Sequence, residues 1–515
     1  MVRVLLAKTL SYGLTGIRGF QVTVEVNLAF GLPSFDIVGL PDTAVKESRE
    51  RVRAALKNGG MGFPDRKITV NLAPADQKKE GPAFDLPIAL GMLAGMEALA
   101  LEPLSQIAVM GELSLDGQVR AVRGALPMVI SALEDGVKTV MLPRENLNEV
   151  RCVAGLTILP VSSIAQALAH LKGERPIAPF VPTRYEDVLT ERPSANDFRH
   201  VRGQKGAKRA LEIAAAGGHN ILMIGPPGSG KTLMAKCVPS ILPDMTFQEA
   251  LEVTRIHSIA GLLPEEGLLA ERPFRSPHHT ASHAALVGGG QNAMPGEVSK
   301  AHNGVLFLDE LPEYGRDVLE ALRQPLEDGV VTVTRVSAQT TYPARFMMVC
   351  SMNPCPCGYY GSRQRDCRCS VSEIRRYMNK ISGPLIDRID MHVEVESIPP
   401  GELSGDAREE CSADIRTRVQ AARDIQRARY ADSGGRVGAN AQLDAGTLAR
   451  ACPMEKDARE LLELSSERLE LSNRAYTRIM KVARTIADLA GCDVIRAEHV
   501  AEAVQYRAAN RKYWR

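Results

Sequence analysis

A short glycine-rich segment contains the residue types that bind phosphate groups. The segment consists of Gly225, Pro226, Pro227, Gly228, Ser229, Gly230, Lys231 and Thr232. Glycines let backbone N–H groups curl around phosphate oxygens, Lys231 offers a positive charge to the β- and γ-phosphates, and Thr232 offers a hydroxyl to Mg²⁺. An apolar run at 221–224 predicts a strand before the segment, and the helix predicted after it adds a favourable dipole. A merely structural turn is the alternative, but the pattern favours a binding site for a nucleoside triphosphate with Mg²⁺.

Two more apolar runs end in side chains suited to the same chemistry. The run 304–308 is followed by Asp309, which would hold Mg²⁺ largely through water, and by Glu310, which would polarise an attacking water. The run 346–352 is followed by Asn353, whose amide can hydrogen-bond the water or the γ-phosphate. The alternatives are a helix cap for the two carboxylates and a turn residue for the asparagine. Combined with the glycine-rich segment, these side chains favour a hydrolytic nucleotide site.

Four cysteines follow the third of these runs in two closely spaced pairs. They are Cys355, Cys357, Cys367 and Cys369. Four thiolates suit tetrahedral Zn²⁺, and the loop between the pairs can fold back easily. The short spacing within each pair strains such a site, so unliganded or redox-active thiols are an alternative, and a disulfide is less favoured in a reducing compartment. If a metal binds, we expect structural Zn²⁺, since four cysteines leave no coordination position open.

Composition limits the class of protein. The chain has 515 residues, of which 24% are charged, and its formal net charge is +2. This length suggests about three domains. The small net charge excludes binding of nucleic acid through overall charge alone. No apolar run is long enough to cross a membrane, and the N-terminal residues do not resemble an export signal. With ten cysteines and no such signal we expect reduced thiols, which indicates a cytoplasmic protein.

Residues 1–172 have the pattern of a mixed α/β domain. Strict alternation over 20–28 predicts a half-buried strand, and 67–72 alternates in the same way. Asp42 is placed to cap a helix that a pair of glycines ends. The short, mostly apolar stretch 137–142 predicts another strand.

Proline-rich sequence separates this first domain from the rest of the chain. It predicts a linker over 173–196, a nucleotide-binding α/β core over 197–398 and a helical region over 399–515. Within the last range, 473–490 predicts a long amphipathic helix.

The predicted core is longer than its strands and helices require. The stretch before Asp309 predicts an inserted loop, and 327–343 alternates as a hairpin with Arg335 near its tip. The loop contains His278, His279 and His283. A flexible loop with this spacing gives little support for a metal site, so contact with a substrate or simple packing is favoured for the histidines.

The three-strand arrangement resembles that of the AAA+ ATPases, and further motifs are similar to the magnesium-chelatase-like ComM/YifB family. The motifs are FRSPHHTASHAALVGGG (274–290), GVLFLDELPEY (304–314), TTYPARF (340–346), MNPCPCG (352–358) and SGPLIDRID (382–390). The resemblance covers essentially the whole chain. It implies an α/β fold, in which a Lon-protease-like α/β domain precedes an AAA+ P-loop module with a C-terminal helical lid.

The same resemblance implies a function. Members of this family are expected to form homo-hexameric rings that bind ATP and Mg²⁺ between subunits. The ComM-like members imply a DNA helicase that drives branch migration when incoming DNA recombines in natural transformation. The expected partners are single-stranded or branched DNA and recombination proteins, and the inserted loop and hairpin are expected to face the pore of the ring.

Two arginines match motif positions with known roles in AAA+ proteins. Arg388 in SGPLIDRID resembles the arginine finger that a neighbouring subunit donates to the γ-phosphate, and Arg474 in LSNRAYTR resembles the sensor arginine of the helical lid. A cation at the developing negative charge contributes about 10³–10⁵ in rate in related nucleotide hydrolases. Outside these motifs, a surface ion pair would be the ordinary interpretation of either side chain.

The N-terminal domain resembles the Lon protease fold but lacks its catalytic pair. The motifs are KKEGPAFDLPIAL (78–90), GELSLDGQVRAVRGAL (111–126) and GVKTVMLPREN (136–146). Aligned by motif, Ala83 stands at the serine position and Leu126 at the lysine position, and neither can act as a nucleophile or a base. We expect an inactive domain that contacts protein or DNA, in which Lys78, Lys79 and Asp85 are solvated charges.

Direct sequence support for DNA binding is weak. The arginine-rich stretch 416–429 is expected to form a solvated helix with ion pairs to Asp414 and Asp424. The cations and aromatics of 507–515 suit phosphate contact with base stacking, but a frayed terminus explains them equally well. Two other functions therefore stay open, a metal-chelatase motor and a regulatory ring that remodels another protein without helicase activity.

Overall fold

Two units make up the computed structural model, which describes residues 5–189, 196–264, 267–289, 293–335, 338–362, 365–398, 409–433 and 437–514. The first unit consists of Met1–Thr190 and Phe247–Ala270, and the second of Glu191–Thr246 and Glu271–Arg515. The segment 247–270 lies within the range predicted for the nucleotide-binding core, but it belongs to the first unit.

The strands and helices are numbered in chain order. The strands are β1 (Leu5–Thr15), β2 (Arg18–Ala29), β3 (Ser34–Val38), β4 (Lys67–Ala73), β5 (Ile107–Val109), β6 (Glu112–Leu113), β7 (Val119–Arg120), β8 (Thr139–Pro143), β9 (Thr157–Val161), β10 (Ile221–Ile224), β11 (Phe274–Arg275), β12 (Gly288–Gly289), β13 (Met294–Pro295), β14 (Val305–Leu308), β15 (Val330–Arg335), β16 (Ala338–Pro343), β17 (Met347–Met352) and β18 (Met391–Glu394). The helices are α1 (Thr43–Asn58), α2 (Asp85–Gly95), α3 (Ala125–Glu134), α4 (Leu147–Val150), α5 (Ile164–Leu171), α6 (Lys205–Gly217), α7 (Lys231–Ile241), α8 (Phe247–Ala260), α9 (His283–Val287), α10 (Glu297–Lys300), α11 (Arg316–Ala321), α12 (Arg323–Asp328), α13 (Val371–Met378), α14 (Gly383–Ile386), α15 (Ser412–Arg429), α16 (Ala445–Ala451), α17 (Lys456–Leu469), α18 (Asn473–Leu489) and α19 (Ala497–Tyr513).

The first unit is built on a mixed sheet with the strand order β3-β4-β2-β1-β5-β8-β9. The predicted strand over 20–28 is confirmed as the centre of β2, where Val22, Val24 and Val26 are buried on one face. The predicted cap is also confirmed, because the Asp42 carboxylate accepts a hydrogen bond of 2.7 Å from the N–H of Val45. Helix α2 is buried along its whole length, which explains its continuous apolar sequence.

The second unit is built on a parallel sheet with the strand order β11-β14-β17-β10-β18. Every residue of β10, β14 and β17 is buried, as expected for parallel strands that are covered on both faces. Because these three strands are neighbours, their carboxyl ends place the glycine-rich segment, Asp309 and Asn353 at one edge of the sheet. The predicted hairpin forms as β15 and β16, whose turn at 336–337 lies outside the described residues.

The expectation of solvated charges in the first unit is wrong for Asp85 and Lys79, which are fully buried. The Asp85 carboxylate accepts hydrogen bonds from Arg51 Nε (2.6 Å) and Nη2 (3.0 Å) and from the N–H of Leu113 (3.1 Å). Burial raises the pKa of Asp85, and the hydrogen bonds from Arg51 oppose that shift. Lys79 donates to the carbonyls of Gln77 and Pro74. These partners are what make the burial tolerable.

The expectation of a solvated arginine helix is wrong at Arg423 of α15, which is buried. Arg423 donates to the carbonyls of Ala215 (3.0 Å) and Ala216 (3.1 Å), which belong to the last turn of α6. The last carbonyls of a helix lack partners within it, so a guanidinium that packs there satisfies them. An ion pair within α15 does remain between Arg427 and Asp424, at 3.5 Å.

Residues near the end of the chain are docked rather than frayed. Arg507 and Tyr513 are buried in α19, and Lys512 pairs with Glu394 of β18 at 2.9 Å. The buried side chains are therefore not free to contact DNA. None of the helices in the described residues is both long and apolar enough to cross a membrane.

We expect the Asp85→Ala substitution to destabilise the first unit by about 3 kcal/mol, because it leaves the Arg51 guanidinium in a largely buried position without its carboxylate. The measurement is hydrogen exchange of the α2 amides in the full chain. The matched control is Glu47→Ala, because Glu47 is 66% exposed and its carboxylate lies 3.8 Å from Arg51. Such an exposed pair contributes about 0–1 kcal/mol. Equal protection of α2 in both variants would contradict the structural role of Asp85.

Candidate nucleotide-binding site

The glycine-rich segment forms the loop between β10 and α7. Gly228 and Gly230 have φ angles of +75° and +87°, in the left-handed region that favours glycine. Gly225 is required for a different reason, since a Cβ there would lie 2.2 Å from the carbonyl oxygen of Val395. The loop therefore presents its backbone at the N-terminus of a helix, which is an anion-binding arrangement.

Lys231 is the first residue of α7, and its side chain reaches back over this loop. Its Nζ donates to the carbonyls of Gly225 (2.7 Å) and Pro226 (2.8 Å) and lies 3.4 Å from Oδ1 of Asn353. Burial lowers the pKa of Lys231 to about 8, against the opposing effect of Asp309 and Glu310. Phosphate oxygens beside this ammonium would stabilise its charged form. The side chains of Lys231 and Asn353 therefore lie next to each other.

The Asp309 carboxylate contacts Thr232 of α7 and Ser351 of the neighbouring strand β17. Thr232 Oγ1 donates to Asp309 Oδ2 at 2.9 Å, and the Ser351 hydroxyl donates to Oδ1. A hydroxyl and a carboxylate at this separation are the oxygen ligands that Mg²⁺ uses in nucleotide sites, where it retains several waters. Ser351 is a residue that the sequence analysis missed, because it lies within an apolar strand.

Glu310 follows with a backbone in the left-handed region, at φ +52°. A glutamate in this conformation is uncommon and is often found where a side chain must be aimed. Its side chain is 58% exposed, and its Oε2 lies 3.9 Å from Nδ1 of His279. Tyr314 donates a hydrogen bond of 2.7 Å to the carbonyl of Pro277, which fixes the inserted loop beside Glu310. His279 is thus a candidate positioning residue, and the histidine-rich motif was its signal.

Arg388 and Arg474 meet at a third residue, Glu327. Arg388 is almost fully buried, pairs with the Glu327 carboxylate and donates to the carbonyl of Pro384 at 2.8 Å. The hydrogen bond from Arg388 lowers the pKa of Glu327. Arg474 is exposed, and its Nη2 lies 3.6 Å from the same carboxylate. The structure therefore brings the two predicted arginines together within one chain.

Arg478 is a second residue that the sequence analysis missed. Its Nη1 donates to the carbonyl of Arg388 at 3.0 Å and to the carboxylate of Asp390. Although burial acts in the opposite direction, the charge of Arg478 holds the pKa of Asp390 well below its usual range. Arg478 lies one helical turn after Arg474 on α18, so the two side chains share one face of that helix. Helix α18 is thereby joined to the rest of the second unit at Arg388, the residue predicted as the finger.

The four cysteines cluster as predicted, with all four Sγ atoms within 4.8 Å of one another. The Sγ of Cys355 lies 3.3 Å from that of Cys357 and 3.7 Å from that of Cys367, and the Cys357–Cys367 distance is 3.6 Å. A tetrahedron with Zn–S bonds of about 2.3 Å has sulfur–sulfur edges of about 3.8 Å. A disulfide would require about 2.05 Å. The donor set and its spacing therefore fit a metal with four thiolate ligands.

Family models match most of the chain. The model described as "Magnesium chelatase, subunit ChlI" matches residues 197–403. The models "Subunit ChlI of Mg-chelatase" and "Magnesium chelatase, subunit ChlI C-terminal" match residues 24–146 and 409–507.

Individual relatives extend over nearly the full length. "Uncharacterized protein YifB" of Escherichia coli is 44% identical over 497 residues, which is 96% of each chain. "Competence protein ComM" of Haemophilus influenzae is 43% identical over 497 residues, again 96% of each chain. "Lon protease 2" of Bacillus subtilis is 25% identical over 166 residues, which is 29% of this chain and 30% of the protease.

These matches confirm the predicted fold class, an AAA+ module with a C-terminal domain and Lon-like similarity in the N-terminal part. The chain therefore belongs to the magnesium-chelatase-like AAA+ family that includes YifB and ComM.

Proposed function

We propose that this chain is an ATP-driven DNA motor that works as a homo-hexameric ring in the cytoplasm. Its activity is that of a helicase promoting branch migration of recombination intermediates during natural transformation. The observation that carries the proposal is the joining of Lys231, Thr232, Asp309 and Asn353 at the edge of three adjacent parallel strands. This arrangement suits binding and hydrolysis of a nucleoside triphosphate with Mg²⁺.

Each residue of the nucleotide site has a proposed role. Lys231 and the loop N–H groups bind the phosphates, and Thr232 with Asp309 holds Mg²⁺. Glu310 accepts a proton from the attacking water, in a position that His279 helps to define. Asn353 orients that water or the γ-phosphate. Mg²⁺ would neutralise charge on the phosphates, while the chain's own residues position the triphosphate and the water.

Two arginines complete the proposed site. In the ring, Arg388 exchanges its partner Glu327 for the γ-phosphate bound by the adjacent subunit, and Arg474 of the lid senses the same nucleotide. Their shared contact with Glu327 supports a coupled role, since one carboxylate holds both side chains before the exchange.

DNA is the proposed substrate of the motor. The support is the 43% identity to a protein named for competence, a process in which DNA is taken up. The rivals are a chelatase-like motor and a ring that remodels another protein, which the names of the matching family models and of the Lon relative suggest. Recombination proteins would be the natural partners of a branch-migration motor.

We also propose that the four cysteines bind one structural Zn²⁺. The sulfur–sulfur distances of 3.3 to 3.7 Å support it, because thiolates at such separations repel one another unless a cation lies between them.

We expect Glu310→Gln to lower ATP hydrolysis about 10²–10⁴-fold while leaving ATP affinity intact, because only the proton acceptor is lost. Lys231→Ala is expected to raise the Kd for ATP about 10–100-fold, because a charge-assisted contact to phosphate is removed. Steady-state turnover and titration with a fluorescent ATP analogue measure the two effects. The matched control is Glu313→Gln, since the exposed Glu313 carboxylate pairs only with Lys380 among the described residues. Undiminished turnover in the Glu310 variant would contradict its assignment.

We expect Arg388→Ala to lose about 10³-fold in ATP turnover with ATP binding preserved, because the transition-state cation comes from the neighbour. Mixing Arg388→Ala subunits with Lys231→Ala subunits should restore part of the turnover, since some interfaces then combine an intact loop with an intact finger. The measurement is ATPase activity of mixtures at fixed total protein. Arg450→Ala, an exposed arginine of α16, provides the control. Mixtures no more active than the average of their parents would argue against a shared site.

We expect ATP turnover to rise on addition of branched DNA. We also expect a labelled four-way junction to be separated into two duplexes only when ATP and Mg²⁺ are present. The apparent affinity for DNA should fall steeply with salt, because phosphate contacts release counterions. Turnover, strand separation on native gels and binding at several salt concentrations are the measurements. ATPase activity that DNA does not change, with no junction resolved, would favour the protein-remodelling rival.

A further inference from the structure

The loop that carries the cysteines contacts two parts of the second unit that are far apart in the sequence. We call residues 355–369 the cysteine loop; its residues 363–364 lie outside the described part of the chain. It leaves β17 directly after Asn353, and its described residues form no helix or strand. Its shape therefore depends on side-chain interactions rather than on a backbone ladder.

Gly358 of the cysteine loop lies against Pro227 of the glycine-rich loop between β10 and α7. Gly358 has a φ angle of +86°, and a Cβ there would lie 2.5 Å from Cδ of Pro227. The N–H of Gly358 donates to the carbonyl of Cys355 at 3.0 Å. This hydrogen bond ties the residue that approaches Pro227 to the first pair of cysteines, Cys355 and Cys357. Any displacement of this ligand pair would thus displace the surface on which Pro227 rests.

Two residues further along, the cysteine loop touches the residues after Arg511. The Tyr360 ring packs edge-on against the Tyr513 ring, with centroids 6.3 Å apart, and the Tyr360 N–H donates to the Cys355 sulfur at 3.3 Å. Lys512 Nζ would lie 3.5 Å from a Cβ added at Gly361. The 512–514 segment is also held on β18, where Trp514 lies 5.9 Å from His392 between ring centroids.

A metal at the cluster would join these two contacts. A thiol is a weak hydrogen-bond donor, so four uncoordinated cysteines give the cysteine loop little rigidity. A bound Zn²⁺ replaces these weak contacts with four Zn–S bonds and contributes directly to folding. Cys355, the first of the proposed ligands, is fully buried. Its carbonyl accepts a hydrogen bond from the N–H of Gly358, and its sulfur accepts one from the N–H of Tyr360.

We propose that Zn²⁺ in the four-cysteine cluster couples the nucleotide site to the 512–514 segment, by holding Gly358 against Pro227 and Tyr360 against Tyr513. The proposal rests on the ATP and zinc sites proposed above. By linkage, the factor by which docking of the segment raises ATP affinity is also the factor by which ATP stabilises docking. Coupling of this kind typically amounts to about 5–150-fold in affinity.

Trp514 makes the coupling measurable in the full chain, because it is the only tryptophan in the sequence. Its indole nitrogen is buried, so its emission reports whether the segment is docked. The experiment measures zinc content, Trp514 emission, quenching by acrylamide, and the Kd for a non-hydrolysable ATP analogue. These are compared before and after removal of zinc by a strong chelator, and after zinc is added back.

The expected result is one zinc per chain. Its removal should shift Trp514 emission to longer wavelength, increase quenching and raise the Kd about 5–150-fold, and added zinc should reverse all three changes. Cys369→Ser should reproduce the zinc-free state, and the half-buried Cys492→Ser should have no effect. Tyr513→Ala leaves every ligand in place, so it should weaken binding of the analogue while zinc stays bound.

Two outcomes would overturn the proposal. The first is less than half an equivalent of zinc per chain. The second is bound zinc whose removal leaves both Trp514 emission and the Kd unchanged, which would leave a zinc site without coupling. The Kd of the Lys231→Ala variant for the same analogue is measured in parallel, to distinguish these outcomes from an error in the proposed nucleotide site. If that variant binds the analogue as tightly as the unsubstituted chain, the proposed ATP site itself is wrong.

Discussion

Parallel pairing of three buried strands determines where the reactive groups of this chain lie. Ile224 of β10 pairs with Met352 of β17, and Leu308 of β14 pairs with Cys350 of the same strand. This register places the start of the glycine-rich loop beside Asn353, and Asp309 beside Ser351. A slip of one residue in either pairing would turn the following side chain to the opposite face of the sheet. Lys231, Thr232, Asp309 and Asn353 therefore converge because of the register.

The sequence was sufficient for this part because each element carries its own local signal. Apolar runs that end in a polar residue predicted the strands and the groups at their ends, and glycines with lysine and threonine predicted the loop. Ser351 and Arg478 were missed, and His279 was named without its contact to Glu310, because their importance depends on contacts across the fold. Local charge likewise predicted solvated side chains at Asp85 and in α15, where the partners lie in other elements.

The chain also passes from the second unit into the first at a place that the sequence did not indicate. After α7 the chain enters the first unit as α8, where the Ser258 hydroxyl donates to the buried carboxylate of Glu149. The same carboxylate accepts a hydrogen bond of 2.9 Å from the N–H of Leu126, the position at which the Lon-type motif would have its lysine. Burial raises the pKa of Glu149, and the hydrogen bond from Ser258 opposes this. The first unit, whose N-terminal part is similar to Lon protease, thus anchors a segment that lies between α7 and β11 in sequence.

Glu327 suggests how the proposed ring would distinguish an assembled site from an isolated one. Its carboxylate is partly exposed, so its pairing with Arg474 contributes about 1 kcal/mol or less. Arg388 is nearly buried, and a buried guanidinium without an anion would be strongly destabilised. Arg388 can therefore leave Glu327 only when another anion, such as a γ-phosphate, accepts its charge-assisted hydrogen bonds. Arg478 of α18 donates to the backbone carbonyl of Arg388. A movement of Arg388 during such an exchange would therefore change a contact that holds α18.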